Sequence, residues 1–595
     1  MRKICVLILL LLSALRASAD DQPLFLKDDA RLQIKVTLKL YCEPLSLFAD
    51  TVKKATGVKL YVRKDIADQN VTVFAEDIPA YDVMNQAALL FDYNWSMKGD
   101  PPNCSYTFHR SLKQKAKADE LREGDLSKKD AQFKQDIEDG VNLIDSDPAK
   151  IQEAFNKNPA QVAEYIIFKD TLKELACFSK QERDAIWERI AGAPYNEIKI
   201  PFAELPKSLQ KMLRESWDEN AAKGHGPDSS QIDQQYLIIS RGGGHGSPYV
   251  DGMPPASVIT FFGMTRPDGS TCGSAGLGSV PPGSLLDDWE LRYLQEVGID
   301  TSSCKPSSQE CVEPESKTKR INIKFEEVLE KEKGKDSNKG HHTFAEVLEA
   351  ASRMFKVSIF ADDYLSRIKN HYCRRGTFPD DPDEAMAELG REFKYGVTKV
   401  GNEFRLRNET WFLDETKEVP KRLVLRWDWI KKDQESLELK DYIEIAGALN
   451  NMQIKGLGNA FLDSDRPLLW EAMRMSRCLD HLRFCAKLSV SQLKTACESQ
   501  LPYDVMTPPQ QEAFARKLHN IKSDLSDDML SQCAFKVRRE EKLETDNADE
   551  TDEPITTKED NQVFTYILGP ANEKRYELML GFKRVEKTKN ITTPK

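Results

Sequence analysis

The spacing of apolar residues near the start of the chain predicts a short alternation of helices and strands. Leu47 to Ala55 repeats its apolar side at helical intervals, and Thr56-Gly57 follows as a stop. Val58 to Val62 and Val71 to Phe74 have the β-branched content of strands. Pro79 to Phe91 predicts a second helix, with Val83, Ala87 and Leu90 on one face, and extended segments at Asn94 to Lys98 and Ser105 to His109 close the block. The same succession returns from Thr343. It has a helix over Phe344 to Met354, a strand over Val357 to Ala361, a short strand at Thr377-Phe378 and a helix over Pro382 to Phe393. Gly396 to Val400 and Glu403 to Arg407 end it. Val357 stands 299 positions after Val58.

The downstream parts repeat at a similar offset. Ile200-Pro201-Phe202 with Leu205-Pro206 and Gln210 matches Leu501-Pro502-Tyr503 with Met506-Thr507 and Gln511. Phe178-Ser179 and Gln181 resemble Leu488-Ser489 and Gln492. The extended run Tyr236 to Ser240 parallels Ala534 to Arg538, and Val258 to Phe262 parallels Val563 to Tyr566. Chance alignment of amphipathic patterns would scatter the offsets, so the expectation is an α+β chain of two tandem copies of one module. Each copy would be a small αβ domain (24–110 and 321–410) followed by a helical segment and a β-rich end (148–290 and 411–589). The Lys/Glu/Asp-rich stretch 111–147 reads as a charged linker or an exposed helix, 300–320 as a polar connector, and 331–340 as a charged loop. The acidic stretch 539–560 is expected to be disordered.

Charge and cysteine usage add a compartment. Arg2 and Lys3, an apolar run from Ile4 to Leu15 and Ala17-Ser18-Ala19 have the layout of a cleaved leader over 1–19. The run falls short of the roughly 20 residues that span a bilayer, and no later stretch is long and apolar enough, so no integral membrane segment is expected after cleavage. The net charge is −11, and loss of Arg2, Lys3 and Arg16 makes it more negative, which argues against nucleic acid or an anionic membrane as the main partner. Cys5 leaves with the leader, and an odd number of cysteines remains for an oxidising compartment. Cys304 and Cys311 flank a short polar loop that a disulfide could close, whereas Cys478 and Cys485 lie about two helical turns apart. No CxxC and no zinc-type Cys/His spacing occurs, so neither metal nor cofactor is expected.

The runs FADTVKKATGVKLYV and VTVFAEDIPAYDVMNQAALLFDYNW resemble the short N-terminal (STN) domain of secretins and TonB-dependent receptors. Thr56-Gly57, Val71-Thr72-Val73, Pro79 and Leu89-Leu90 take the family's places. In the second copy Phe355-Lys356 replaces Thr-Gly, and Asn370 to Arg375 is unusually polar, so the motif is thinner there. The resemblance implies two helices packed on small sheets in a periplasm, acting by stacking or by receiving a partner's segment at a strand edge. It covers a little over a quarter of the chain. Neither module has the alternating strands of a membrane barrel.

Candidate chemistry is sparse. Arg241-Gly242-Gly243-Gly244-His245-Gly246-Ser247 follows a strand, and its backbone amides could meet an anion beside His245 as acid or base. Pro248, Pro254 and Pro255 follow where a phosphate loop would open a helix, and its Lys-Ser/Thr is missing. His225, the pair His341-His342, Cys272, and Asp546, Asp549 and Asp552 each have a blander reading as loop, cap, buried thiol or solvated charge. Trp427-Asp428-Trp429 would put two indoles on one face as a strand, and Pro201-Phe202 and Pro502-Tyr503 read as a fixed turn with a ring in a core pocket. Asn70, Asn94 and Asn408 head N-x-S/T triplets, which would be glycan acceptors in a eukaryotic host. The expectation is a non-enzymatic exported (periplasmic or secreted) binding or adaptor protein, partnered by an envelope protein or by itself, in a secretion, pilus or TonB-type context. The alternative is an exported hydrolase or ligand-binding protein using the loop 241–247.

Overall fold

A computed structural model describes residues 25–192, 197–223, 232–233, 235–241, 258–262, 274–278, 286–304, 320–322, 343–365, 377–434, 437–457, 475, 479, 481–521, 527–546, 555–568 and 574–584. The chain divides into two compact units, one made of residues 1–118 with 318–595 and the other of 119–317.

Residues 35–109 follow a βαββαββ order: β1 (Lys35–Pro44), helix Leu45–Thr56, β2 (Lys59–Val62), β3 (Asn70–Pro79), helix Ala80–Phe91, β4 (Asn94–Lys98) and β5 (Ser105–His109). β1 pairs antiparallel with β3, β2 lies parallel to β5, and β5 is antiparallel to β4. Gly57 ends the first helix in the left-handed region at φ 72°, and its amide donates to the Lys53 carbonyl, which is why Thr-Gly stops the helix there. The apolar stripes of both helices close over the sheets: Phe48, Val52, Val83, Ala87, Tyr106 and Phe108 are buried together, with Trp95 stacked on Phe108 at 4.6 Å.

The described residues of 119–317 build a helical body and a second sheet. The stretch read as a charged linker or an exposed helix is one helix, Leu112–Leu143. Lys, Glu, Asp and Gln outside are compatible with a helix, and Phe133 and Ile137, four apart, are buried in this unit's core. Pro148 and Pro159 open the next helices, Pro148–Lys157 and Pro159–Ile167, at positions where a missing N–H costs little. Phe155, Leu172, Trp187 and Ile190 fill the centre. Buried Arg183 donates through Nε and Nη2 to the two Glu138 oxygens at 2.8 and 2.7 Å, a fork that keeps both charges paired. β6 (Glu197–Pro201), β7 (Tyr236–Arg241), β8 (Val258–Phe262) and β9 (Ser274–Gly278) form an antiparallel meander. Phe202, just past Pro201, is buried, and its amide donates to the Gln235 carbonyl at 2.9 Å, so this Pro-aromatic pair is a turn with a ring in the core.

Among the described residues, 320–408 follow the order of 35–109: β10 (Arg320–Asn322), helix Phe344–Phe355, β11 (Ser358–Asp363), β12 (Thr377–Pro379), helix Pro382–Phe393, β13 (Tyr395–Val400) and β14 (Glu403–Asn408). The pairing also corresponds, with β10 antiparallel to β12, β11 parallel to β14, and β14 antiparallel to β13. In addition β3 pairs antiparallel with β11, from Phe74 opposite Ile359 to Asn70 opposite Asp363. A five-stranded sheet, β1-β3-β11-β14-β13, therefore runs through both blocks. Thr343 and Glu346 form a capping box at the start of this block's first helix. Lys356, at φ 53°, ends that helix in the conformation Gly57 has in the first block. A side chain there costs about 1 kcal/mol that glycine avoids. Lys356→Gly is expected to raise stability by several tenths of a kcal/mol to about 1 kcal/mol, read from the denaturation midpoint at unchanged slope.

Among the described residues, the rest of this unit up to Glu498 is mainly helical; β15 (Leu501–Pro502), helix Pro508–Ile521, β16 (Ala534–Asp546), β17 (Ile555–Leu568) and β18 (Lys574–Arg584) follow. β15 to β18 form an antiparallel meander. Two expectations are corrected here. Residues 539–546 and 555–560 are paired strands rather than a disordered loop, with Lys542 opposite Glu559. The run of charged residues in the sequence masked the strand pattern there. Trp427-Asp428-Trp429 lies in the helix Lys421–Gln434, which sends Trp427 into the core and leaves Trp429 65% exposed, so the two indoles share no face. The chain is thus a mixed α/β protein with several small sheets.

Candidate functional site

Polar groups gather where β3 meets β11. All six residues of β11 are buried, so its terminal pair Asp362-Asp363 cannot reach water. A buried carboxylate costs several kcal/mol unless it is paired or protonated. Asp362 is satisfied within its own block: the Tyr364 hydroxyl donates at 2.9 Å, the Asn408 amide donates at 2.7 Å, and Arg407 Nη1 lies 3.4 Å away. Burial works against the Arg407 charge, but Asp362, Tyr364, Tyr93 and Glu415 around it outweigh that and hold the guanidinium protonated. Asp363 faces the other block. Thr72 Oγ1 donates to it at 2.6 Å and the Tyr364 amide at 2.9 Å, while Thr72 accepts from the Cys42 amide at 2.9 Å. Burial pushes the Asp363 carboxyl up to about 6, against the Thr72 hydroxyl, the Tyr364 amide and Lys421, which favour its ionised form.

The helix Trp411–Lys417 and the residues after it bring more carboxylates to this seam. Glu418 Oε1 accepts from Asn70 Nδ2 at 2.6 Å and from the Leu365 amide at 2.9 Å. Glu415 Oε1 accepts from Arg110 Nη1 at 2.6 Å and from Gln69 Nε2 at 2.7 Å. The Gln86 side-chain amide donates to Glu403, whose carboxyl is raised by burial and by Asp82. Lys421 runs the other way, with Nζ 2.9 Å from Glu43 Oε1 and donating to the carbonyls of Tyr41 and Cys42. Cys42 has φ 48°, and the β1–β3 register shifts just there. That bulge lets two successive carbonyls meet one ammonium. Trp411 lies against both arginines, with its ring centre 4.4 Å from the Arg407 guanidinium and 5.9 Å from that of Arg110. The arrangement can lock two blocks in one register, and it can take up or release protons while doing so.

The candidates from sequence fall elsewhere. Arg241 closes β7, while Gly242, Gly243, Gly244, His245 and Ser247 lie outside the described residues. So do His225, His341, His342, Cys272, Asp549 and Asp552. Cys304 is half-buried, and its prospective partner Cys311 lies outside the described residues. Among the described cysteines no two sulfurs are joined. Asn94 is exposed on β4, but Asn70 and Asn408 are buried members of the seam, which denies a glycan access to them. Among the described residues no group of three His, Cys, Asp or Glu is placed to hold a metal ion, and no helix is long and apolar enough to cross a membrane.

No protein-family model matches the chain, and neither a curated protein nor a solved structure matches it. The seam's residues therefore speak through their chemistry alone. Sequence reading missed Asp362, Asp363, Glu415 and Glu418 because carboxylates at strand and helix ends ordinarily face water. One signal was available: Asp362-Asp363 prolongs the apolar run Val357 to Ala361 where the corresponding strand in the first block passes into Arg63-Lys64.

Proposed function

We propose that this chain is a non-enzymatic exported binding or adaptor protein that arose by duplication of one module. Its STN-like blocks would make the protein–protein contacts, with an envelope protein or a second copy as partner and a secretion, pilus or TonB-type system as context. The observation that carries this reading is the pairing of β3 with β11, in which one block adds a strand to the edge of the other. Strand addition at an open edge is a general mode of protein recognition, with main-chain hydrogen bonds giving affinity and alternate side chains giving specificity. The shared βαββαββ order, the matched pairing of the two blocks and the two antiparallel meanders support the duplication. The leader-like start supports export.

Photo-crosslinking in the native envelope fraction tests the reading. A crosslinker replaces Tyr61 on β2 or Val400 on β13, both about half exposed on edge strands of their sheets. A discrete adduct with an envelope protein or with a second copy is the expected result. A monomer that gives no adduct at either position, in cells that express the untagged protein normally, would sink it.

A further inference from the structure

We propose that the seam between the two βαββαββ blocks is a pH-operated joint, tight while Asp363 and Glu403 carry protons and loosened as both ionise. The inference stands on the seam's geometry and does not rest on the adaptor reading. Acids from its two sides meet across it in two clusters. In the first, Asp363 and Glu418 meet Glu43 and Cys42 of β1 and Asn70 and Thr72 of β3, with Asp362 and Tyr364 alongside; Lys421 lies among them and Arg407 beside Asp362. In the second, Glu403 of β14 faces Asp82 of the helix Ala80–Phe91, with Gln86 and Tyr81 from that helix, Arg405 from β14 and Lys27 at the edge. Like charges brought together in a buried site cannot all ionise without cost, so ionisation of the raised carboxyls in each cluster is pushed to higher pH.

The seam is also where bonding is incomplete. Asn70 Oδ1, Gln86 Oε1, Arg110 Nε and Nη2, and Glu415 Oε2 are buried without a hydrogen-bond partner among the described residues. A polar network satisfied only in part is weaker than either a full one or an apolar contact, and this one lies between two blocks that each have a core of their own. A carboxyl that holds its proton in the closed seam and releases it in the open one stabilises closure at low pH. That contribution is fully present below the open-state value and is lost as pH rises through the closed-state value. Burial raises the Asp363, Glu403 and Asp82 carboxyls, so all three act in the same sense.

Hydrogen exchange on the full chain tests this, with rates corrected for intrinsic pH dependence. Amides of Val71 to Phe74 and Ile359 to Asp363 are compared with those of β2 and β5, which lie in the same unit away from the seam. On going from pH 5 to pH 7.5, seam protection should fall by about tenfold relative to β2 and β5, the change one raised carboxylate gives. Asp363→Asn with Glu403→Gln should remove most of that fall, Asp82 being the one raised carboxyl left. Lys421→Met removes the cation that favours ionised Asp363 and should move the onset of loosening to higher pH, so the test survives a double variant that folds poorly. Equal pH response at seam and control strands, an unchanged fall in the double variant, or an onset that stays put or moves lower in Lys421→Met would each overturn the proposal.

Discussion

Asp362→Ala is expected to lower the stability of the unit containing residues 1–118 and 318–595 by about 3–5 kcal/mol, the cost of removing one partner of a buried charged network. Asp362 is fully buried and takes the Tyr364 hydroxyl, the Asn408 amide and Arg407 at once. Alanine leaves the hydroxyl and the amide without their acceptor and removes the ion pair of Arg407, which keeps a charge that its surroundings had stabilised. Asp362→Asn keeps the volume and one acceptor and should cost markedly less. Urea denaturation followed by tryptophan fluorescence reads the difference. Equal midpoints for wild type and Asp362→Ala would mean that Asp362 is not buried against these groups.

Gly456→Ala should be comparably damaging for a different reason. Gly456 sits in the helix Asn451–Leu457, where that helix packs on the end of Trp411–Lys417. A methyl group there would fall on the Lys417 carbonyl oxygen and come within 2.9 Å of its carbon and 3.2 Å of its Cβ. The obstacle is backbone, so no rotamer change relieves it, and the helix that supplies Glu415 and leads to Glu418 would have to move. A loss of about 3 kcal/mol follows from overpacking of this kind. It outweighs the helix-propensity gain of about 1 kcal/mol that alanine brings. A variant at least as stable as wild type, by the same denaturation, would contradict the close approach of the two helices.

The local order of the two blocks was legible because it rests on short-range physics. Apolar spacing located helices ending near Thr56 and Phe393, and extended segments at Asn94–Lys98 and Ser105–His109 agree with β4 and β5. The polar stretches misled where partners come from afar. Helix Leu112–Leu143 buries only a few of its residues, and 539–546 and 555–560 are dense in charged residues, so neither stretch shows an apolar period in the sequence. The pairing of β3 with β11 joins segments nearly three hundred positions apart, and nothing local announces it. The same distance hid the seam: Asn70 and Glu418, or Gln69 and Glu415, become meaningful only once the sheet has brought them together. Lys356 shows the converse, since the helix ends as it does at Gly57 although the residue that favours this conformation is missing.

The claim on which the rest depends is that the first βαββαββ block and the residues after Thr318 form one body through β3 and β11. Co-expression of residues 25–118 with a tagged 318–595, without 119–317 between them, tests it most directly. The account predicts that the two fragments purify together as a one-to-one complex, and that Thr72→Asp, which sets a second carboxylate against Asp363, separates them. Two folded fragments that elute apart, or a complex indifferent to Thr72→Asp, would contradict it.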